Sequence, residues 1–569
     1  MEKSFLSLFT LFAVAACAPS DSGTKAPKFE ITLTESAAQE IAALGLEVPI
    51  VGRAYVILTT DNESEPRRQV GVRGVPFWGM EVRDFEGGDE VTLVPGDDGV
   101  IGHPLADFST VPPGDYTVQA FLNVFTTFNR ADGHVVEMHL NSGAGQSPWR
   151  APGNAKSEPQ QVHISGGGTI QLEISDVIPP THPVPDGGSM QQGNPPDQGD
   201  FVRFVKIRSD ALSTFWGRDM YIGANVLLPS DYMRNPNRRY PVLYLTGHFP
   251  GDRAPYGYSD DPQEGERSRY AGFSEFWRTR NNPKMILISV RDANPYYDTG
   301  HSVNSANVGP YGDAFTEELI PYLEEQFPII AEPWARTLAG GSTGGWEALA
   351  IQILYPEYFG GTWGWCPDPV DFHWYQIVNV YEDDNAYADK DEWTSVERPN
   401  NRRPDGTLVS TIRQEMGYER AIGPNGRSGG QWAIWEALFS PVGPDGYAMP
   451  IWDRVTGEID HEVAEYWKEN WDLTHHLVNN WSTIGRNLAG KIHVAVGDMD
   501  SYYLNNAAEL MEEALANLTD PAPRASFEYG RKERHCWIGY SPWRRGEEIS
   551  SMEFIRVLDG YWKSRGGRW

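Results

Sequence analysis

Two textures of hydrophobic and polar positions divide the chain. From Phe29 to about Ile178, short runs alternate with period two: Phe29-Glu30-Ile31-Thr32-Leu33, Gln161-Val162-His163-Ile164 and Thr169-Ile170-Gln171-Leu172-Glu173-Ile174. That spacing puts every second side chain on one face of a strand. Ala54-Tyr55-Val56-Ile57-Leu58 is a continuous apolar strand, and Pro112-Pro113-Gly114-Asp115 is a turn feeding a strand that runs to Ala120. Short strands with regular turn signals predict an antiparallel β-sandwich over residues 28–178. His134 and His139 within it have no metal-ligand context and are expected at the surface. Residues 179–200 are so dense in proline and glycine that neither a helix nor a strand ladder can form, which predicts a linker.

From Phe201 the pattern changes. Val242-Leu243-Tyr244-Leu245 and Lys284–Val290 are short buried strands, and Asp313–Phe327 carries apolar residues at helical spacing. Ala335–Ala339 is a further strand, followed after a glycine-rich turn by the apolar helix Trp346–Leu354; Lys491–Val496 is a late strand. Strands alternating with helices predict an α/β domain over 201–569, with a mainly parallel sheet covered on both faces. A long insertion interrupts it at about 373–490. It holds Trp374, Trp393, Trp432, Trp435, Trp452, Trp467, Trp471 and Trp481, and predicts a cap over the sheet's edge whose rings mostly form its own core.

The ends and the charge set the compartment and exclude some partners. Residues 1–17 run from Lys3 through the apolar stretch Phe5–Val14 to Ala15-Ala16-Cys17. That stretch is too short to span a bilayer but suits a bacterial lipoprotein signal, with Cys17 as the lipidated residue. Residues 18–27 then form a polar tether. The expected location is the cell envelope, as an outer-membrane lipoprotein or in the periplasm, or outside the cell. A formal net charge of −31 repels phosphate backbones and argues against nucleic acid as a partner. Besides Cys17 there are two cysteines, Cys366 and Cys536. Both are expected at the same sheet edge, where an oxidising compartment allows a disulfide; the alternative is two thiols.

The candidate chemistry lies in Leu338-Ala339-Gly340-Gly341-Ser342-Thr343-Gly344-Gly345-Trp346. Gly340-x-Ser342-x-Gly344 between a strand and a helix is the pattern of a nucleophile elbow. A serine hydroxyl needs a base, and the base an orienting acid. Gly497-Asp498-Met499-Asp500 follows the late strand, and either aspartate can emerge at its end; His535 comes later in a loop. The order serine, acid, histidine is that of α/β-hydrolases. An oxyanion would be held by the N–H of Thr343 and by an N–H from Thr246-Gly247-His248-Phe249, of which the Phe249 or His248 N–H is the candidate; His248 is also a weaker rival base. His248, Trp365, Asp368, Asp371 and Tyr311 are candidate pocket residues.

Residues 201–560 resemble the “Putative esterase” family of α/β-hydrolases, which includes S-formylglutathione hydrolases, feruloyl esterases and enterochelin esterases. Tyr240–His248, Gly340–Gly345, Gly497–Asp500 and His535-Cys536-Trp537 carry the resemblance. It selects Asp500 over Asp498, because the family's acid sits three residues after a strand-end glycine. It implies a serine esterase with no metal or organic cofactor, acting through an acyl-enzyme on a small-molecule or polymer-linked ester. The insertion is longer than in compact members, so substrate identity does not carry over. Two other readings share these residues: acyl transfer on the same triad, and an inactive surface binding lipoprotein. Oligomeric state is not legible.

Overall fold

The computed structural model of the protein describes residues 26–140, 147–248, 251–262, 270 and 272–567. The expected signal segment with Cys17, and residues 18–25 of the tether, lie outside the described residues.

Eight strands build the sheet that carries the candidate site: β1 (Val202–Ser209), β2 (Met220–Leu227), β3 (Val242–Thr246), β4 (Ile286–Arg291), β5 (Arg336–Gly341), β6 (Gly361–Trp365), β7 (Ile492–Gly497) and β8 (Ser526–Gly530). They lie in the order β1-β2-β4-β3-β5-β6-β7-β8. β1 and β2 pair antiparallel with each other, β2 pairs antiparallel with β4, and the remaining pairs are parallel. The central strands read as unbroken apolar runs because both their faces are covered: Leu243, Leu338 and Ala339 have no exposed surface. Thr246 pairs with Gly340, and Gly340 with Gly364. The C-terminal ends of β3, β5 and β6 therefore finish level, the edge where ligands of open parallel sheets bind. The helix read over 313–327 starts at Tyr311 and passes through a π-helical turn at Ala314–Leu319 before ending at Gln326.

The N-terminal region is hydrogen-bonded as one ten-stranded sheet, where two separate sheets were expected. The 16-residue strand Gly114–Asn129 joins it together, pairing along its length with Ile50–Thr59, Val135–Met138, Ala155–Ser157 and Gln160–Ile164. Lys28–Leu33 and Thr169–Val177 pair in parallel, and the α-helix Glu35–Ala43 follows the first of these strands. His139 corrects an expectation: it is buried, not at the surface, and stacks on Tyr297 at 4.2 Å. Alternation alone does not show which face a second region will cover. His134 is partly exposed beside Asp132. The proline- and glycine-rich stretch is pinned onto the second sheet, with Lys206 Nζ donating to the carbonyls of Gln191 (2.7 Å) and Gly193 (2.5 Å).

Following β5 come the helices α1 (Thr343–Leu354) and, within the insertion, α2 (Ile412–Ile422), α3 (Gln431–Phe439), α4 (His461–Trp471) and α5 (Leu473–Leu488). α6 (Asn505–Ala516) and α7 (Ser551–Ser564) complete the C-terminal part. Tyr375 centres an aromatic core within the insertion, its ring lying 5.1 Å from those of Trp432, Trp435 and Trp467, while the buried Trp481 donates its indole N–H to Pro521 O at 2.8 Å. Trp393 and Trp374 are exceptions, exposed at 85% and 40%. The N-terminal sheet meets the insertion at the end of α2: Arg53 Nε donates to Ala421 O at 3.2 Å, and the Tyr55 hydroxyl donates to Ile422 O.

Trp467 is fully buried, with its indole N–H donating to Ser440 Oγ at 2.9 Å. Trp467→Ala is expected to destabilise the insertion by about 3–5 kcal/mol, read by chemical denaturation. The exposed Trp393→Ala should change stability by less than about 0.5 kcal/mol.

Candidate active site

The site starts from a backbone that only a tight turn permits. Ser342 has φ 60° and ψ −127°, outside the regions open to most side chains. It lies between the end of β5 and the first turn of α1. The chain can reverse there because a Cβ is missing at Gly344, where one would stand 2.3 Å from Thr246 O. The Ser342 N–H donates to Trp365 O at 2.9 Å, which ties the turn to the end of β6.

Three side chains from three separate loops meet at this turn. His535 Nε2 lies 3.0 Å from Ser342 Oγ, and His535 Nδ1 lies 2.8 Å from Asp500 Oδ2. Asp500 is fully buried; its Oδ1 accepts the N–H of Tyr502 at 2.8 Å. The Tyr502 ring meets the imidazole edge-on at 4.9 Å. Asp498 instead accepts the backbone N–H of Lys532 at 2.5 Å, bracing the histidine loop without touching His535. Burial disfavours the charged imidazole, but hydrogen bonds to Asp500 and Cys536 outweigh it and push His535 up to about 10.

A second acid–imidazole chain approaches from the other flank. Asp298 Oδ2 lies 2.6 Å from His248 Nδ1, and His248 Nε2 hydrogen-bonds Thr343 Oγ1. Thr343 Oγ1 donates to Asp368 Oδ2 at 2.6 Å. Trp435 Nε1 donates to the same oxygen at 2.8 Å and Gln431 Nε2 at 3.4 Å. Asp368 Oδ1 lies 3.5 Å from Ser342 Oγ. Burial works against a charge on His248, but Asp298 outweighs it and raises its pKa; burial raises that of Asp368. Two buried carboxylates thus reach the serine's surroundings, one through an imidazole and one directly.

The other sequence-selected residues take different places. Thr343 is fully buried at the first position of α1, with its N–H among the unpaired donors of a helix start. Phe249 lies outside the described residues. Tyr311 is a packing residue: it is buried, with its hydroxyl donating to Ala293 O at 2.9 Å. The ring of Trp365 packs edge-on against Phe554 of α7 at 4.9 Å and shares a cavity with His493 and Tyr540. Asp371 lines a separate cleft with His373, Trp374 and Arg398. Asp371, His373 and Asp472 bring one donor atom each within 4.8 Å. Those atoms are occupied by the protein: Asp472 caps α5 through the His475 N–H and accepts from Tyr381 at 2.8 Å. Cys366 and Cys536 stand as thiols, not as a disulfide, both beside Gly341, the residue before Ser342. Asp298, Gln431 and Trp435 escaped the sequence reading, since nothing local in their segments points to the serine.

The strand order, with the strained serine after β5 and the histidine after β8, defines an α/β-hydrolase architecture. Residues 216–415 match the family model described as “Putative esterase”. The chain is 27% identical over 159 residues to an endo-1,4-beta-xylanase/feruloyl esterase of Xylanibacter ruminicola, covering 26% of this chain and 20% of that protein. It is 34% identical over 139 residues to an esterase of Mycobacterium tuberculosis, covering 24% and 27%. The matches thus span about a quarter or less of those relatives' lengths. Among solved structures, a ferulic acid esterase aligns at 15% identity with a TM-score of 0.35, over 63% of this chain and 100% of its own. An S-formylglutathione hydrolase from Agrobacterium tumefaciens aligns at 13% with a TM-score of 0.32, over 66% and 97%. The resemblance read from the motifs is thus shared by the family comparison.

Two expectations follow. Asp500→Asn should lower kcat/KM on a carboxylic ester by about ten-thousandfold through loss of the oriented imidazole, and Asp498→Asn should lower it far less. The reverse order would move the acid to Asp498. On a mechanism in which the neutral His535 imidazole is the base, activity is expected to fall as pH falls through its raised pKa. The acidic limb of the kcat/KM profile is therefore expected above neutrality, and a limb below pH 6 would contradict it.

Proposed function

We propose that the protein is a serine esterase in which Ser342 is the nucleophile, His535 the general base and acid, and Asp500 the orienting carboxylate. The carrying observation is the pair of contacts at 3.0 and 2.8 Å that link Ser342, His535 and Asp500 at a strained elbow. His535 takes the Ser342 proton as Oγ attacks the ester carbonyl. The N–H of Thr343 at the start of α1 stabilises the oxyanion, with Phe249 as the second donor. The alcohol leaves with the proton from His535, and water repeats the sequence on the acyl-enzyme.

The family match and the esterase names of the relatives support carboxylic esters as the substrate class. Gln431 and Trp435 of the insertion reach Asp368 beside the serine, which supports the insertion as a cap that completes the pocket. The N-terminal sheet serves to brace that cap through Arg53 and Tyr55. Lipidation at Cys17 would place this esterase at the cell envelope.

The test is fluorophosphonate labelling of the purified protein beside Ser342→Ala and His535→Ala, with ester hydrolysis measured in parallel. Labelling and turnover in the wild type, lost in Ser342→Ala, are expected. Turnover retained by a folded Ser342→Ala protein would sink the assignment.

A further inference from the structure

Cys366 and Cys536 come from different parts of the chain. Cys366 follows β6, and Cys536 follows His535 in the loop after β8. Their sulfurs and a nitrogen of His535 all lie within 4.8 Å of one another. Both sulfurs also lie against the residue before the nucleophile: a Cβ placed on Gly341 would meet Cys536 Sγ at 3.8 Å and Cys366 Sγ at 3.9 Å, ordinary contact distances. Cys366 is fully buried, whereas Cys536 is exposed. Both residues hold left-handed backbone, with φ 38° and 64°, a conformation that persists only where the surroundings enforce it. An exposed cysteine beside an imidazole, with the sulfur of a buried second cysteine within 4.8 Å, is the layout of an oxidisable cysteine and its resolving partner.

We propose that Cys536 and Cys366 form a reversible thiol–disulfide pair that sets how readily His535 acts as a base. The redox chemistry stands on the thiol geometry, and its effect on turnover rests on the esterase reading. The Cys536 thiolate attacks one sulfur of a small-molecule disulfide, forming a mixed disulfide and releasing one thiolate. The sulfur of Cys366 then attacks Cys536 Sγ and expels the second thiolate, which takes the Cys366 proton. Two protein thiols are oxidised, and one small disulfide is reduced to two thiols.

The direction of control follows from charge. A hydrogen bond from the Cys366 thiol, and then one from His535, hold Cys536 well below the usual thiol range. The resulting thiolate adds to Asp500 in keeping His535 protonated. The other groups facing this pair are Asp368 across Ser342, the Tyr502 ring, and Glu548 beside Cys536. Of these, only the thiolate loses its charge on oxidation. The disulfide therefore releases His535 toward its neutral form, so oxidation activates.

The experiment uses the full chain, reduced with dithiothreitol and then equilibrated with glutathione disulfide. Peptide mapping by mass should show a Cys366–Cys536 cross-link without retained glutathione, reversed by dithiothreitol. Two persisting thiols, or a stable glutathione adduct at Cys536, would overturn the pairing. The kcat/KM profile on a chromogenic ester should move to lower pH on oxidation. The gain at neutral pH should be about tenfold for each unit by which the His535 pKa falls. An unmoved or alkaline-shifted profile would overturn the coupling. Cys366→Ser, shown to be folded by circular dichroism, should stop at the glutathione adduct. Reduced Cys536→Ser should titrate like the oxidised wild type. Failure of fluorophosphonate to label either redox form would count against the esterase reading alone, because the cross-link is read by mass.

Discussion

The close approach of α1 to the end of β3 is the constraint on which the site depends. Gly344 meets Thr246 with no room for a side chain, so α1 must begin one residue after Ser342, and Ser342 must take the left-handed backbone that joins strand to helix. Two consequences follow from that single contact. The serine hydroxyl is lifted clear of the sheet, and the unpaired N–H groups of the helix start are delivered beside it. The level ends of β3, β5 and β6 then decide which loops can reach the hydroxyl, and those loops supply His248, Asp368 and Cys366.

Around that hydroxyl the protein buries an unusual amount of ionisable chemistry. On one side Asp500 holds His535; on the other Asp298 holds His248, which reaches Asp368 through Thr343. Burial of a carboxylate is tolerated only where donors satisfy it, and here the donors come from distant parts of the chain: the Trp435 indole for Asp368, and the Tyr502 backbone for Asp500. The arrangement keeps three carboxyl groups, Asp298, Asp368 and Asp500, close to the serine and out of water.

Much of this was legible in the sequence, for physical reasons. The central strands announced themselves as apolar runs because both faces are covered, and the elbow did so because its geometry admits few residues. Ser342 and His535 were separable from the other serines and histidines by their place after strands, whereas the choice of Asp500 over Asp498 came from the family resemblance. What escaped depended on contacts between distant segments. Period two in the N-terminal region gave strands but not the single continuous sheet, and not the covered face where His139 lies. Asp298, Gln431 and Trp435 carry no local pattern: Asp298 reaches the site only by holding His248, and Gln431 and Trp435 only through the docking of the insertion. Tyr311 and Trp365 were placed at the right edge of the sheet, but their rings point into packing.

The meeting of Arg53 and Tyr55 with α2 gives the N-terminal region a role beyond shielding. The last carbonyls of a helix have no partner within it, and most helices answer with a local turn or a glycine. Here Ala421 and Ile422 receive their donors from side chains 368 and 367 positions earlier in the chain. The first sheet is thus a capping group supplied at long range. A fragment beginning at the linker would leave two carbonyls of α2 without those partners, at the base of the same insertion that delivers Gln431 and Trp435 to the serine. Cutting the chain between its two sheets therefore does not separate two independent modules; it removes the end of a helix.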